Sequence, residues 1–414
     1  MELINFQTLL TPAGQEVLHA AVELHPTESN FLHDFDALSR RYPPDLARAA
    51  LEIAILRQEA EVKFPLAEHM YFTRQALEQA SSYEVSNYRA GRFRDYDLLA
   101  DLGCSIGGDT LTLATIAPTV AVDHDLLRLA MCRANLEASG LGDRVFCIQA
   151  DLTQGILLSP VTGRLSLFAN RSSPSLAIFF DPARRLGRQR AFSVANYHPP
   201  LSVIAGWLPY FPALGVKISP GVELAELASY DAEIEFISLR GELKEAVLWF
   251  GPLRTCARRA TCLPGLHSLA SLEIDLSELR GTEPISEPLG FLYEPDASIL
   301  RAGLVSRLAA ELGACQLDPD IAYLTADRYV PSPFARAWQV EAWFPFGLKR
   351  LRAALRERHV GKVIVKKRGS PLQPEALIHD LRLKGDEERT IFLTHLRSKP
   401  IVVLCYPHAL KIGR

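Results

Sequence analysis

At 414 residues, 48% hydrophobic and 22% charged, the chain has the make-up of an ordinary globular protein with room for two or three domains. No apolar run reaches the ~18 residues that a membrane-spanning helix needs, the opening MELINFQTLL lacks the basic start of a signal peptide, and seven cysteines without a C-x-x-C pair argue against both a disulfide framework and a zinc site. The expected compartment is therefore the cytoplasm, with no membrane and no metal, and the formal net charge of −3 conceals a basic C-terminal end.

Residues 1–96 read as an all-helical N-terminal domain. After the Pro43-Pro44 start, Leu46, Ala50, Ile53, Ala54 and Leu56 recur close to helical spacing. The next stretch, MYFTRQALEQASSYEVSNYRAGRF, is amphipathic, with Gln75, Glu78, Gln79 and Tyr88 on or near polar faces.

Residues 97–252 alternate strand and helix, which argues for a parallel sheet with helices on both faces. Strands are expected at LLADLG, TVAVD, VFCIQAD, LAIFFD, GVKIS, EIEFISLRG and EAVLWFG. Helices are expected over Asp109 to Ala117, Asp125 to Ser139, Pro199 to Leu208 and Gly221 to Ser229. The last two strands are separated by only a few residues around Gly241, too few for a crossover, and should form an antiparallel hairpin.

The densest chemistry lies at the first turn of this region, where Asp101 closes a strand, Gly103, Gly107 and Gly108 follow, and Asp123 ends the next strand. Glycines let the backbone take positive φ and approach a ligand, and a carboxylate at the second strand's tip can accept ribose hydroxyls. Ser105 stands where a dinucleotide fold carries its second glycine, so a pyrophosphate fits poorly. An acid opening the turn suits a cationic, phosphate-free nucleoside instead.

The pattern D-x-G-x-S-x-G-G resembles the first motif of the class I S-adenosylmethionine-dependent methyltransferases. The resemblance implies an α/β fold with a Rossmann-like seven-stranded sheet, parallel except for the final antiparallel hairpin. It implies S-adenosyl-L-methionine as cofactor, with Asp101, Gly103, Ser105 and Gly107 around its methionine part, Asp123 on the ribose and Asp151 on the adenine. His124 and Leu152, each following one of these acids, join the candidate set. In that family a segment before the first strand covers the cofactor, which makes Gln79 and Tyr88 candidates for a lid, although a solvent-facing helix explains them equally well.

The fourth strand ends in FFDPARRLG. Ligands of open α/β sheets bind outside the carboxyl ends of the strands, so Asp181 and Pro182 are the candidate catalytic pair. The stretch resembles the [D/N]-P-P-[Y/F/W] motif of enzymes that methylate amino nitrogens, with Ala183 in place of the second proline and Arg184 in place of the aromatic. It is also similar to the D-P-P-R-x-G stretch of RNA 5-methyluridine enzymes. Those require a cysteine after the fifth strand, where this chain has VKISPG with Lys217 and Ser219. Arg184 and Arg185 are suited either to clamping phosphate or to pairing with surface acids.

Residues 253–345 form a connecting region. Thr255 to His267 is an apolar alternation able to extend the sheet, GFLYEPDASILRAGLVSRLAAELGA has an extended start and a helix with Ile299, Leu304 and Leu308 on one stripe, and LDPDIAYLTAD is a strand with turns. From Gly347 onward sixteen Lys/Arg face six Asp/Glu, a surplus that marks a candidate polyanion surface. There the order is helix (LKRLRAALRERH), strand (KVIVKKRG), helix (PEALIHDLRL) and two strands (TIFLTHLR and PIVVLCYP), and Lys366, Lys367 and Arg368 cluster at a strand end.

Residues 346–414 resemble the small α+β THUMP-like domain found C-terminal to the methyltransferase domain in a bacterial family. The resemblance implies RNA as partner, and the leading expectation is methylation of tRNA or rRNA, on a base nitrogen more readily than on carbon. A methyltransferase for a small molecule or a protein, and a cofactor-binding protein without catalysis, stand as alternatives.

Overall fold

In the computed structural model the described residues are 1–154, 175–183, 185–186, 189–190, 193–271 and 284–407. Helices α1 (Leu3–Leu9), α2 (Pro12–Glu23), α3 (Phe31–Ser39), α4 (Pro44–Ala60), α5 (Arg74–Gln79) and α6 (Tyr83–Ala90) fill the N-terminal portion. α2 and α4 each begin on a proline, whose missing amide costs nothing in a first turn. Thr11 caps α2 by accepting from the Gly14 amide at 3.2 Å.

The chain divides into two compact units, Met1–Glu233 with Glu245–Thr255 and Ile234–Lys244 with Cys256–Arg414. In the first, parallel strands β1 (Leu98–Leu102), β2 (Thr119–Asp123), β3 (Val145–Gln149), β4 (Leu176–Phe180) and β5 (Leu214–Ile218) lie in the order β3–β2–β1–β4–β5. Strands β1, β2 and β5 are buried at every position, which is why they read as apolar runs rather than alternations. Strand β6 (Glu233–Leu239) and strand β7 (Glu242–Trp249) are joined by Arg240 and Gly241, both in the left-handed region at φ 53° and 82°, as a two-residue hairpin demands. β7 pairs antiparallel with β5, from Gly215 opposite Trp249 to Ile218 opposite Ala246. Within the first unit, the five parallel strands and the antiparallel β7 from Glu245 therefore have the directions expected of the methyltransferase sheet.

Helices α7 (Thr110–Ile116) and α8 (Leu126–Ala138) follow β1 and β2 as expected. The helices expected after β4 and β5 are instead short 3-10 turns, Leu201–Gly206 and Leu224–Leu227. Pro199 and Pro200 remove two amide donors ahead of the first, and Gly206 ends it, so that segment does not sustain an α-helix.

One hydrophobic cluster contains Phe6, Leu9, Leu51, Ile53 and Phe72 from the helical portion together with Met131, Cys132 and Leu136 of α8. Buried Asn135 ties these parts together. It accepts from the Tyr71 amide at 2.7 Å and donates to the carbonyls of Tyr71 at 3.1 Å and Ile106 at 2.9 Å.

In the second unit β8 (Arg258–Leu263) runs parallel to β6, and β9 (His267–Ala270) pairs antiparallel with β8, so the segment after Thr255 does extend a sheet. A seven-stranded sheet is built from β10 (Phe291–Pro295), β11 (Cys315–Asp318), β12 (Ile321–Ala326), β13 (Ala335–Pro345), β14 (Val360–Lys367), β15 (Glu387–Leu396) and β16 (Lys399–Cys405). Its order is β11–β12–β10–β13–β16–β15–β14. The single helix expected around Ile299 to Leu308 is two, α9 (Ala297–Ala302) and α10 (Val305–Leu312), because Gly303 at φ 73° closes the first in a left-handed cap. Helices α11 (Leu348–Glu357) and α12 (Pro374–Leu381) cover Val363, Ile391 and Val402. Leu292, Tyr323, Trp338 and Phe392 form a separate cluster.

Candidate active site

The turn after β1 is built for close backbone approach. Gly103 and Gly107 have φ of 82° and 85°, and Ser105 is also left-handed at 50°. A β-carbon on Gly103 would stand 2.6 Å from the Asp181 carbonyl oxygen, and one on Gly107 would stand 2.7 Å from Cys132 Sγ, so neither position accommodates a side chain.

Asp101 is buried beneath this turn. Thr110 donates to its Oδ2 at 2.5 Å, while Oδ1 has no partner among the described residues. Burial, reinforced by Asp109 and Asp181, pushes the Asp101 carboxyl up to about 8, against the opposing Thr110 hydrogen bond and the Arg89 cation. Ser105 Oγ is a second buried polar atom without a partner there.

Asp123 links the turn to the second strand. Its Oδ2 accepts from the Ser105 amide at 2.8 Å and its Oδ1 from the Asp125 amide at 2.9 Å. Two backbone donors leave a carboxylate further lone pairs for a ligand. His124 is exposed, with Nδ1 3.3 Å from Asp123 Oδ1. Asp151 lies just past β3, is exposed, and accepts from the amide and hydroxyl of Thr153 at 2.9 and 2.7 Å. Leu152 and Gln79 are half-buried, Gln79 being the last residue of α5, and Tyr88 is half-buried in α6.

Asp181 follows β4. Its amide donates to the Leu102 carbonyl at 3.0 Å, and its Oδ2 accepts from Lys217 Nζ at 2.7 Å. Pro182 is buried, and Ala183 exchanges two backbone hydrogen bonds with His198 at 3.0 and 2.9 Å. Arg184 and the side chain of Arg185 lie outside the described residues.

Sequence reasoning missed the cations behind these acids. Arg89 of α6, 2% exposed, donates to Asp109, lies 2.8 Å from Glu245 and places its guanidinium 4.7 Å from the Phe179 ring centroid. Burial alone would lower the Arg89 pKa, but Asp109, Glu245, Asp181 and Asp101 together raise it above the ordinary value. Arg89 and Glu245 sit in stretches with no local signal. Lys217 carried one, a lysine inside the apolar run GVKIS, which a buried strand tolerates only with a partner. Cys104, Cys132 and Cys405 are buried and Cys147 is half-buried, and burial pushes the Cys104 thiol up to about 12.

The expected basic cluster is engaged by its own chain. Lys366 donates to Glu294 at 2.5 Å and lies over Trp338, Lys367 donates to the Leu372 carbonyl at 2.9 Å, and Arg368 lies over Tyr323, 3.9 Å from Glu294. Lys349 and Arg356 of α11 are exposed, as are Arg382 and Lys384 just after α12. Arg352, on the same stripe of α11 as Lys349 and Arg356, donates to the Asp380 carbonyl at 3.0 Å and so joins this stripe to the end of α12.

No helix among the described residues is long and apolar enough to cross a membrane, and among them no group of three or more His, Cys, Asp or Glu is placed to hold a metal ion.

A parallel sheet with an antiparallel last strand, a glycine turn after β1 and acids at successive strand ends defines an α/β protein that holds a nucleoside cofactor at its carboxyl strand ends. Residues 335–407 match a family described as THUMP domain-like, and residues 2–60 match a domain of unknown function (DUF8688). The chain is similar to an uncharacterized S-adenosylmethionine-dependent methyltransferase of Mycobacterium tuberculosis strain CDC 1551, at 34% identity over 331 residues spanning 78% of this chain and 84% of that protein. The counterpart in strain H37Rv matches equally. In fold it is similar to a crystal structure from Porphyromonas gingivalis W83 designated a methyltransferase, with a TM-score of 0.77, 22% identity and coverage of 95% of this chain and 98% of that one. The chain belongs to the S-adenosylmethionine-dependent methyltransferases.

The residues fit that cofactor. The unpartnered Asp101 Oδ1 and Ser105 Oγ are acceptors suited to a ligand bearing N–H donors and positive charge. When bound, the cofactor supplies an electrophilic methyl group on a sulfonium.

Proposed function

We propose that this methyltransferase acts on RNA, at a base nitrogen rather than at carbon. The turn from Asp101 to Gly107, with Asp123 and Asp151, holds the cofactor, and Asp181 and the Pro182 carbonyl receive the acceptor's N–H groups. The observation that carries the reading is the packing of the Asp181 main-chain oxygen against Gly103, which sets the acceptor-side acid directly on the cofactor turn. The covalent mechanism of RNA 5-methyluridine enzymes needs a cysteine after the fifth strand, and Ser219 and Pro220 stand there.

RNA is supported by the THUMP domain-like match and by the stripe of exposed cations on α11 and after α12, Lys349, Arg356, Arg382 and Lys384, which suits a phosphate backbone. Because Lys366, Lys367 and Arg368 are held internally, the contact surface is assigned to the helix side. The test is mass spectrometry of nucleosides from total RNA of deletion and complemented strains. One methylated nucleoside is expected to vanish on deletion and to return with the wild type but not with Asp181→Ala. An unchanged nucleoside profile would move the acceptor to a small molecule or a protein.

A further inference from the structure

Lys217 is the least expected charge in the first unit. Strand β5, LGVKI, is buried at all five positions, and the Lys217 side chain is 2% exposed. A lysine so placed requires a partner for its ammonium. That partner, Asp181, is 23% exposed, so the pair has a buried cationic end and an accessible anionic end. The main chain of Asp181 is pinned as well, its amide on the Leu102 carbonyl and its own oxygen against Gly103. With Oδ2 taken by Lys217 at 2.7 Å, Oδ1 is the carboxylate oxygen left for another donor. Arg89 from α6 and Asp101 from β1 also act on this carboxylate.

We propose that Lys217 is a positioning residue for methyl transfer: its ammonium fixes the Asp181 side chain, with Oδ1 turned to the N–H of the incoming nucleophile. The proposal rests on the reading of Asp181 as the acceptor-facing acid. In the step it serves, the nitrogen lone pair forms the new carbon–nitrogen bond while the carbon–sulfur bond breaks onto sulfur. The N–H proton passes to Asp181 Oδ1 and leaves through its exposed side. The Lys217 hydrogen bond to Oδ2 holds Oδ1 in place to receive this proton.

The experiment follows label from methyl-tritiated S-adenosylmethionine into the RNA, protein and small-molecule fractions of an extract from cells lacking the protein, using the full chain. Lys217→Met is expected to lower turnover by about two orders of magnitude, with cofactor affinity measured by calorimetry within about twofold of wild type. Lys217→Arg restores most of the turnover. In an Asp181→Asn background, Lys217→Met adds little further loss, because the lysine acts through the acid; the asparagine oxygen still accepts from the Lys217 ammonium, so that background folds, and the double variant removes both charges.

Equal loss of turnover and cofactor affinity in Lys217→Met would overturn the proposal, and so would a full additional loss on top of Asp181→Asn. Label in the protein or small-molecule fraction would sink the RNA reading while still testing Lys217. No label in any fraction would overturn both.

Discussion

The main-chain oxygen of Asp181 and the α-carbon of Gly103 are packed so closely that a β-carbon on Gly103 would lie 2.6 Å from that oxygen. Cofactor turn and acceptor-side acid are thus built on one contact. Gly103→Ala must both move this backbone and adopt φ near 82°, which costs about 1–3 kcal/mol. Its thermal midpoint should fall by several degrees and its cofactor affinity with it. Gly108→Ala is the control, since its β-carbon would meet the Phe64 ring at an ordinary 3.5 Å. Equal tolerance of the two changes would contradict the contact's importance.

Asp101 makes both stability and binding depend on pH. In the folded chain, burial first and then Asp109 and Asp181 hold its carboxyl near about 8, whereas an unfolded aspartate ionises near ~3.9. Between those values the folded state keeps a proton that the unfolded state has lost, so stability falls as pH rises. Relative to Asp101→Asn, the wild-type melting temperature should drop between about pH 5 and about pH 8. Affinity for the cationic cofactor should tighten over the same window in the wild type alone. A constant offset between the two proteins would contradict a buried, protonated acid.

Arg89 is the counter-ion for carboxylates that have almost no access to solvent. Arg89→Met leaves Asp109 and Glu245 without it, and removing one partner of a buried ion pair costs about 3–5 kcal/mol. Urea unfolding should show a loss of that size. A loss below about 1 kcal/mol would mean that water reaches the pair and screens it.

The helix stripe gives a prediction in salt dependence. Combined replacement of Lys349, Arg356 and Arg382 by alanine should reduce the slope of log affinity for total tRNA against log salt by about 2–3, since each lost phosphate contact contributes ~0.7–0.9. Lys366→Ala, which breaks the internal pair with Glu294, should leave the slope unchanged. The reverse pattern would return the RNA surface to the β14 end.

Much of the sheet was legible because β2 and β4 are apolar runs that end on or just before Asp123 and Asp181, while β1 and β5 are apolar but for Asp101 and Lys217, as strands covered on both faces are written. The Asp101, Gly103 and Asp123 spacing was legible for the same reason, since these residues sit at strand ends that the pattern itself locates. The 3-10 crossovers were not, because a short segment that begins on prolines offers no periodicity to distinguish them from α-helix. Arg89, Asp109 and Glu245 were invisible because they meet only after folding. The clustering of Lys366, Lys367 and Arg368 was legible from charge along the chain, whereas the pairing of Lys366 and Arg368 with Glu294 across the sheet was not, because those partners meet only after folding.

Calorimetric titration of S-adenosylmethionine into the wild type and into Asp123→Ala tests the central claim most directly. The account predicts saturable binding to one site, weakened by at least about tenfold when the carboxylate that joins the Ser105 and Asp125 amides is removed. Absence of binding heat in the wild type, or identical affinity in the two proteins, would contradict it.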